Sequence, residues 1–354
     1  MGTTKRIPRL FRVWYFGRIR TEKSNKKRKL VFLKRIVKSI GAVVILALLA
    51  MGIFAAIHWQ PDRDVDELAG LWAKEPSRFL RVQGMNVHVR DEGPVNTGAT
   101  IALLHGTASS LHTWDGWAND LSEDYRVVRF DLPGFGLTGP HPDDDYSIDA
   151  YVEFVIASLD ALTAERVVLV GNSLGGHIAW ATAVLHPERV ERLVLVDSSG
   201  YPLESTSVPI GFRIAQTPVL RDLMNNVLPR FIIRSSVENV FGDPTLVTDE
   251  LVDRYFDLST RAGNRQALGI RMQQFNSTAL SDRISEIRQP TLVLWGKQDR
   301  LIPFSSAARF VSDIDNATLT AWGHLGHVPH EEAPAETVKA LRNFLRQPAD
   351  EDME

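Results

Sequence analysis

Short apolar runs rich in β-branched residues recur along most of the chain, each followed by a turn bearing glycine, proline or aspartate. Residues 100–104, 125–130, 166–170, 193–196 and 291–295 are short enough, and apolar enough, to predict strands buried on both faces. A last strand is predicted near residues 318–320. Residues 79–82 and 85–89 flank the turn Gln83-Gly84 and read as a hairpin. Between these strands the apolar spacing changes to that of helices. Residues 114–121 predict a short one, and Ser147 can cap a helix running through Tyr151, Phe154, Val155, Leu159 and Leu162. Residues 177–185 and 337–345 predict two more. Strands alternating with helices predict an α/β chain with a mostly parallel sheet covered on both faces. The alternation stops from residue 201 to 288, where Pro202, Pro209, Pro218, Pro229 and Pro244 punctuate helical patches with no clear strand. That stretch reads as an inserted helical lid.

Residues 40–57 form an uncharged run of eighteen. At about 1.5 Å per residue it spans about 27 Å, close to the hydrocarbon thickness of a bilayer. Lys34, Arg35 and Lys38 abut one end, and Trp59 stands at the other, followed by Asp62, Asp64, Asp66 and Glu67. A core helix should show a polar face, and this segment has none. A cleaved signal peptide has a shorter apolar region and a small-residue exit, neither of which is clear here. The expectation is therefore an uncleaved single-pass anchor over residues 39–59. The positive-inside rule puts residues 1–38 in the cytoplasm and the bulk of the chain on the far side.

Charge divides the chain in the same place. The net charge is −3, yet residues 1–38 hold fourteen Lys and Arg against one acid, a net of +13, leaving −16 on the remainder. Nucleic-acid binding is one reading of such a basic arm. The neighbouring apolar run favours anionic lipid as its partner, with no nucleic acid. The chain has no cysteine, which excludes disulfides, thiolate nucleophiles and Cys-bound zinc. It also lacks a Walker loop, a dinucleotide fingerprint and a His-Glu-x-x-His helix, so no metal or organic cofactor is expected. The expected organisation is a basic segment (1–38), the anchor (39–59), a juxtamembrane linker (60–78), a first core part (79–200), the lid (201–288), a second core part (289–347) and an acidic tail (348–354).

The chemistry centres on Gly171-Asn172-Ser173-Leu174-Gly175-Gly176-His177, a strand-to-helix turn with glycine two residues either side of a serine. This is the setting of a nucleophile elbow. A serine hydroxyl is a weak nucleophile and needs a base held by an acid. Asp299 follows the strand at 291–295, and His327 follows the last strand, so both fall at the same sheet edge as Ser173. Rivals exist for each role. His324 is an alternative base and Asp197, which ends the strand after the elbow, an alternative acid. His105, His177 and His330 read as structural, and Asp131 as shaping the turn Leu132-Pro133-Gly134.

These pieces resemble the α/β-hydrolase fold superfamily: His105-Gly106, residues 131–136, the Ser173 elbow, the Asp299 loop and Gly326-His327-x-Pro329, in that order. The resemblance covers about residues 79–347. It implies Ser173 as nucleophile, His327 as base, Asp299 as its partner, and the backbone N–H groups of Thr107 and Leu174 as oxyanion hole. Serine at the elbow sets the chain apart from relatives of this fold that carry aspartate there. The elbow and lid resemble both esterase-like members and hydrolases of carbon–carbon bonds in ring-fission products. The first expectation is a membrane-anchored hydrolase of carboxylic esters, with an amphiphilic small molecule as substrate. The alternatives are a carbon–carbon bond hydrolase and a non-catalytic binding module. In the lid, Arg261 and Arg265 could present a guanidinium to a carboxylate-bearing substrate, or else form a surface pair capping a helix.

Overall fold

The computed structural model describes residues 9–95, 98–202 and 205–347, so the acidic tail at 348–354 lies outside the described residues. The chain divides into two units, Met1–Trp59 and Gln60–Glu354. In the first, a single helix α1 (Arg9–Ile57) continues from the basic segment through the apolar run. Its stretch Asn25–Ile57 is long and apolar enough to cross a membrane, and none of its apolar window is buried. The helix is longer than the predicted anchor because Lys and Arg are good helix formers and no proline interrupts residues 9–57.

The second unit is built on one eight-stranded sheet. Its strands are β1 (Arg78–Val82), β2 (Met85–Glu92), β3 (Thr100–Leu104), β4 (Arg126–Phe130), β5 (Val167–Asn172), β6 (Val190–Val196), β7 (Thr291–Gly296) and β8 (Ala317–Trp322). They lie in the order β1-β2-β4-β3-β5-β6-β7-β8. Only the hairpin β1–β2 and the β2–β4 pair are antiparallel. Every residue of β5 and β7 is buried, as two covered faces require.

Helices α2 (Val65–Trp72), α3 (Asp115–Leu121), α4 (Ile148–Ala161) and α5 (Leu174–Leu185) precede the lid. The Ser147 hydroxyl accepts from the Ala150 N–H and caps α4, as its sequence predicts. The lid contributes α6 (Ile210–Ala215), α7 (Pro218–Met224), α8 (Arg230–Val240), α9 (Asp249–Ser259) and α10 (Asn264–Gln274), with no strand among its described residues. Helices α11 (Ser305–Asp313), α12 (Pro329–Glu332) and α13 (Pro334–Leu345) complete the unit. Two apolar layers sandwich the sheet. One centres on Trp180, Phe130 and Phe154, the other on Trp114, Trp117 and Phe344.

The linker does not hang free of this unit. Gln60 N donates to Asn226 O at 2.8 Å and Arg63 N to Thr260 O at 2.8 Å. Arg63 also pairs with Asp257 at 2.6 Å. Residues 60–63 are thus strapped along the lid by main-chain bonds as well as charge.

Candidate active site

The elbow is strained as its sequence demands. Ser173 sits at φ 56°, ψ −114°, a left-sided conformation that a non-glycine residue holds only when its surroundings impose it. They do so by close packing: a Cβ on Gly171 would overlap the Gly175 carbonyl, and one on Gly175 would overlap Leu104 O. Parallel pairing of Asn172 with Val196 puts the end of β5 beside the end of β6. Asn172 Nδ2 then donates to Val196 O at 3.1 Å and to His327 O at 3.0 Å, tying the elbow to the histidine loop.

His327 is buried, and its Nδ1 lies 2.7 Å from Asp299 Oδ2. A carboxylate only accepts, so Nδ1 carries the proton and Nε2 is left as the basic nitrogen. The other Asp299 oxygen accepts the N–H groups of Leu301 at 2.8 Å and Ile302 at 3.0 Å, which fixes the carboxylate's plane. His327 N donates to Val240 O at 2.7 Å. Glu332 accepts Gly326 N at 2.7 Å with one oxygen and Gly242 N at 2.8 Å with the other, so the tail of α8 and the histidine loop share one clamp.

Ser173 and His327 line one cavity of about 110 Å³. Its walls are mostly apolar, with Phe212, Met224 and Leu228 from the lid side and Leu301 and Val328 from the core. Gly106 and Thr107 line it too, and a Cβ on Gly106 would come 3.2 Å from that of Ser173. Among the described residues the N–H groups of Thr107 and Leu174 have no backbone acceptor outside their own elements. Leu174 opens α5, where a free amide and the helix dipole both favour negative charge.

The rivals separate clearly. His324 is exposed and sits 3.3 Å from Glu336. His330 is buried under Trp114, with ring centroids 3.9 Å apart, and Nε2 lies 3.1 Å from Thr113 Oγ1. His105 Nε2 accepts Leu132 N at 2.9 Å, and its Nδ1 lies 2.8 Å from Gly106 O, so it braces the Thr107 loop. Asp131 accepts Leu111 N and Leu137 N and lies 2.7 Å from His88 Nδ1. It shapes more than its own turn.

Asp197 stays close to the site. It is fully buried at φ 44°, and its Oδ1 accepts Gly296 N at 3.0 Å while Oδ2 has no partner. Burial first, and then the Asp299 charge, push its carboxyl well above the usual range. Ligand atoms of Asp197, Asp299 and His327 lie within 4.8 Å of one another, the one such His/acid group among the described residues. Within that group His327 Nδ1 and Asp299 Oδ2 are hydrogen-bonded to each other.

The lid arginines form no surface pair. Arg265 is buried, lines the cavity, and gives its guanidinium to Asp62 Oδ1 at 2.5 Å and Gln60 O at 2.8 Å. Arg261 is half-buried and donates to Thr138 O at 3.2 Å. Asn172, Glu332 and the Asp62–Arg265 pair are parts of the site that sequence reasoning missed. The polar Asn172 inside an apolar strand end and the acidic doublet Glu331-Glu332 after the histidine were their only signals.

A parallel sheet with a strained serine at the end of its fifth strand and a histidine–aspartate pair at the same edge defines a class of hydrolytic enzymes. The family described as "alpha/beta hydrolase fold" matches residues 99–334. The chain belongs to that family, and it is a hydrolase. It is similar to a 2-hydroxy-6-oxo-2,4-heptadienoate hydrolase of Pseudomonas putida, 31% identical over 281 residues, which covers 77% of this chain and 96% of that one. Among solved structures it is similar to a meta-cleavage product hydrolase of Pseudomonas fluorescens, at TM-score 0.66 and 28% identity, covering 75% of this chain and 96% of that one. It is also similar to a bacterial membrane phospholipase A, at TM-score 0.64 and 25% identity, covering 88% and 98%.

Proposed function

We propose that the chain is a serine hydrolase that cleaves carboxylic esters bearing an apolar acyl group. Ser173 acts as nucleophile, His327 as general base and then acid, and Asp299 as the residue that fixes the imidazole and stabilises its charged form. The Thr107 and Leu174 N–H groups receive the oxyanion. Ser173 Oγ gives its proton to His327 Nε2 and bonds the carbonyl carbon; the alkoxide leaves with that proton. Water then repeats the sequence on the acyl-enzyme and releases a carboxylic acid. The observation that carries the reading is that the strained Ser173 and the Asp299-paired His327 line one cavity.

The sequence relatives weigh toward the second reading, hydrolysis of a carbon–carbon bond in a ring-fission product, more than toward the ester. The cavity supports the ester. The compounds in the names of those relatives carry a carboxylate, and among the residues lining this cavity the one permanent cation, Arg265, is already neutralised by Asp62. An uncharged acyl chain meets no such mismatch. The likeness to a membrane phospholipase also agrees with an ester whose acyl group is lipid-like. Purified protein offered neutral esters of increasing chain length beside a vinylogous diketone acid decides between them. The ester reading expects kcat/KM to rise with chain length and to exceed that for the diketone by about tenfold or more, roughly 1.4 kcal/mol of transition-state binding. A preference for the diketone establishes the second reading instead.

The same proposal includes the setting. The helix at residues 39–59 serves as an uncleaved anchor, with residues 1–38 cytoplasmic and the hydrolase unit outside. The +13 charge before the apolar run and the four acids just after it support that orientation.

A further inference from the structure

Most buried or part-buried arginines in this unit meet an acid or backbone carbonyls, and one does not. Arg129 pairs with Glu92 and Asp115, Arg254 with Glu331, and Arg265 with Asp62. Arg192 donates to Phe344 O and Gln347 O. Arg271, in α10, is 4% exposed, yet no acid among the described residues pairs with it; its side-chain hydrogen bond goes to the neutral Tyr151 phenol oxygen, and its Nε has no partner. The groups in contact with it are neutral. The Tyr151 phenol gives its own proton to Pro133 O at 3.0 Å. His177, whose Nε2 lies 3.0 Å from Ala279 O, is pushed down to about 4 by burial. The Phe275 ring centroid lies 5.2 Å from the guanidinium carbon. A guanidinium does not lose its proton in a protein, so a positive charge is held here without a counter-charge from the fold.

That charge borders open space. Arg271 lines a cavity of about 260 Å³ that shares no lining residue with the Ser173 cavity. Tyr146, Leu174, Phe275 and Leu280 supply apolar wall, and Ser147, whose hydroxyl oxygen accepts Ala150 N at 3.3 Å and whose proton goes to the Asp145 carboxylate, lines it too. Asp149, an exposed acid, also lines the cavity.

We propose that this cavity is a binding site for a small organic monocarboxylate, anchored on the Arg271 guanidinium. A planar fork of N–H donors fits the two oxygens of a carboxylate side by side. A single cation with an acid nearby balances one negative charge and repels a second, which selects a monocarboxylate over a phosphate dianion. The apolar wall takes a short hydrocarbon chain. The site stands whichever bond Ser173 breaks, because ester and carbon–carbon hydrolysis both release a carboxylic acid.

The test is the thermal midpoint of the full-length protein in detergent, titrated with sodium butyrate at constant ionic strength. A ligand that binds only the folded state raises the midpoint with concentration. The expected result is a saturable rise in the wild type. In Arg271→Met the apparent affinity drops by about tenfold or more, the loss of one charge-assisted fork. Arg271→Lys keeps the charge without the fork and falls between the two, and it carries the comparison if the methionine variant does not fold. Phosphate at the same ionic strength gives a smaller rise than butyrate. The proposal is overturned by a flat wild-type response up to about 0.1 M butyrate, by an undiminished response in the Arg271 variants, or by phosphate matching butyrate.

Discussion

At Ser173 the backbone is held at φ 56° by glycines packed against it, not by the hydroxyl, which caps nothing. Ser173→Ala therefore removes the reacting oxygen and leaves the turn intact. We expect turnover to fall roughly 10⁴-fold or more with an unchanged unfolding midpoint; a near wild-type rate in the purified variant contradicts the assignment. The two acids should part company. Asp299 uses both oxygens, one on His327 and one on two amides, so Asp299→Asn turns a donor toward Nδ1 or breaks the amide pair. Asp197 is driven toward the neutral acid, so an amide of the same shape replaces it at little cost. The expected losses in kcat are about 10³-fold or more for Asp299→Asn and under about tenfold for Asp197→Asn. A silent Asp299→Asn beside a dead Asp197→Asn reverses the assignment. That Ser173, Asp299 and His327 meet at one sheet edge was legible because each follows a strand whose apolar run can be read. Asn172 and Glu332 were not, since what they do depends on loops far away in sequence that only the fold brings together.

Among the elements, the strands of the parallel sheet were readable because burial on both faces forces unbroken apolar runs such as Val167–Asn172. Helix α11 was not anticipated. Ala307, Phe310 and Val311 do fall at helical spacing, but the helix is only nine residues long and two serines open it, so the pattern is brief. The length of α1 was missed for the opposite reason: charge, not periodicity, dominates residues 9–38. The lid was recognised as an insertion, but not the strap that holds it, because Asp62 and Arg265 meet only in three dimensions. That pair gives a prediction at this scale. Asp62→Ala leaves a guanidinium facing the cavity without its acid. Activity should then shift by severalfold, on the order of 1 kcal/mol, toward esters whose acyl chain ends in a carboxylate and away from neutral ones. Unchanged relative rates on octanoate and hemisuccinate esters contradict the role given to Asp62.

For the molecule as a whole, burial sets a pH response. His112 is pushed down to about 3 and His177 to about 4, and His105 and His330 are also lowered by desolvation. These rings stay neutral in the fold, whereas in the unfolded chain they take a proton near pH 6.5. Below that pH the unfolded state binds more protons, so stability falls as pH drops from about 6.5 to about 4. Asp197 and Glu332, raised chiefly by burial, act in the opposite sense but are outnumbered. The urea midpoint should be lower at pH 5 than at pH 7.5; an equal or higher value contradicts this balance. On the proposed topology, protease added outside intact spheroplasts digests the hydrolase unit and spares an N-terminal tag. The reverse pattern inverts the orientation, and a shortened soluble product marks the apolar run as a cleaved signal.

The account rests on Ser173 as the nucleophile, and a covalent label measures that directly. Full-length protein treated with a fluorophosphonate and digested for mass spectrometry should gain one phosphonyl group on the peptide containing Ser173. Ser173→Ala should gain none, and Asp299→Asn should label far more slowly than the wild type. Labelling of another residue, or equal labelling in Ser173→Ala, contradicts it.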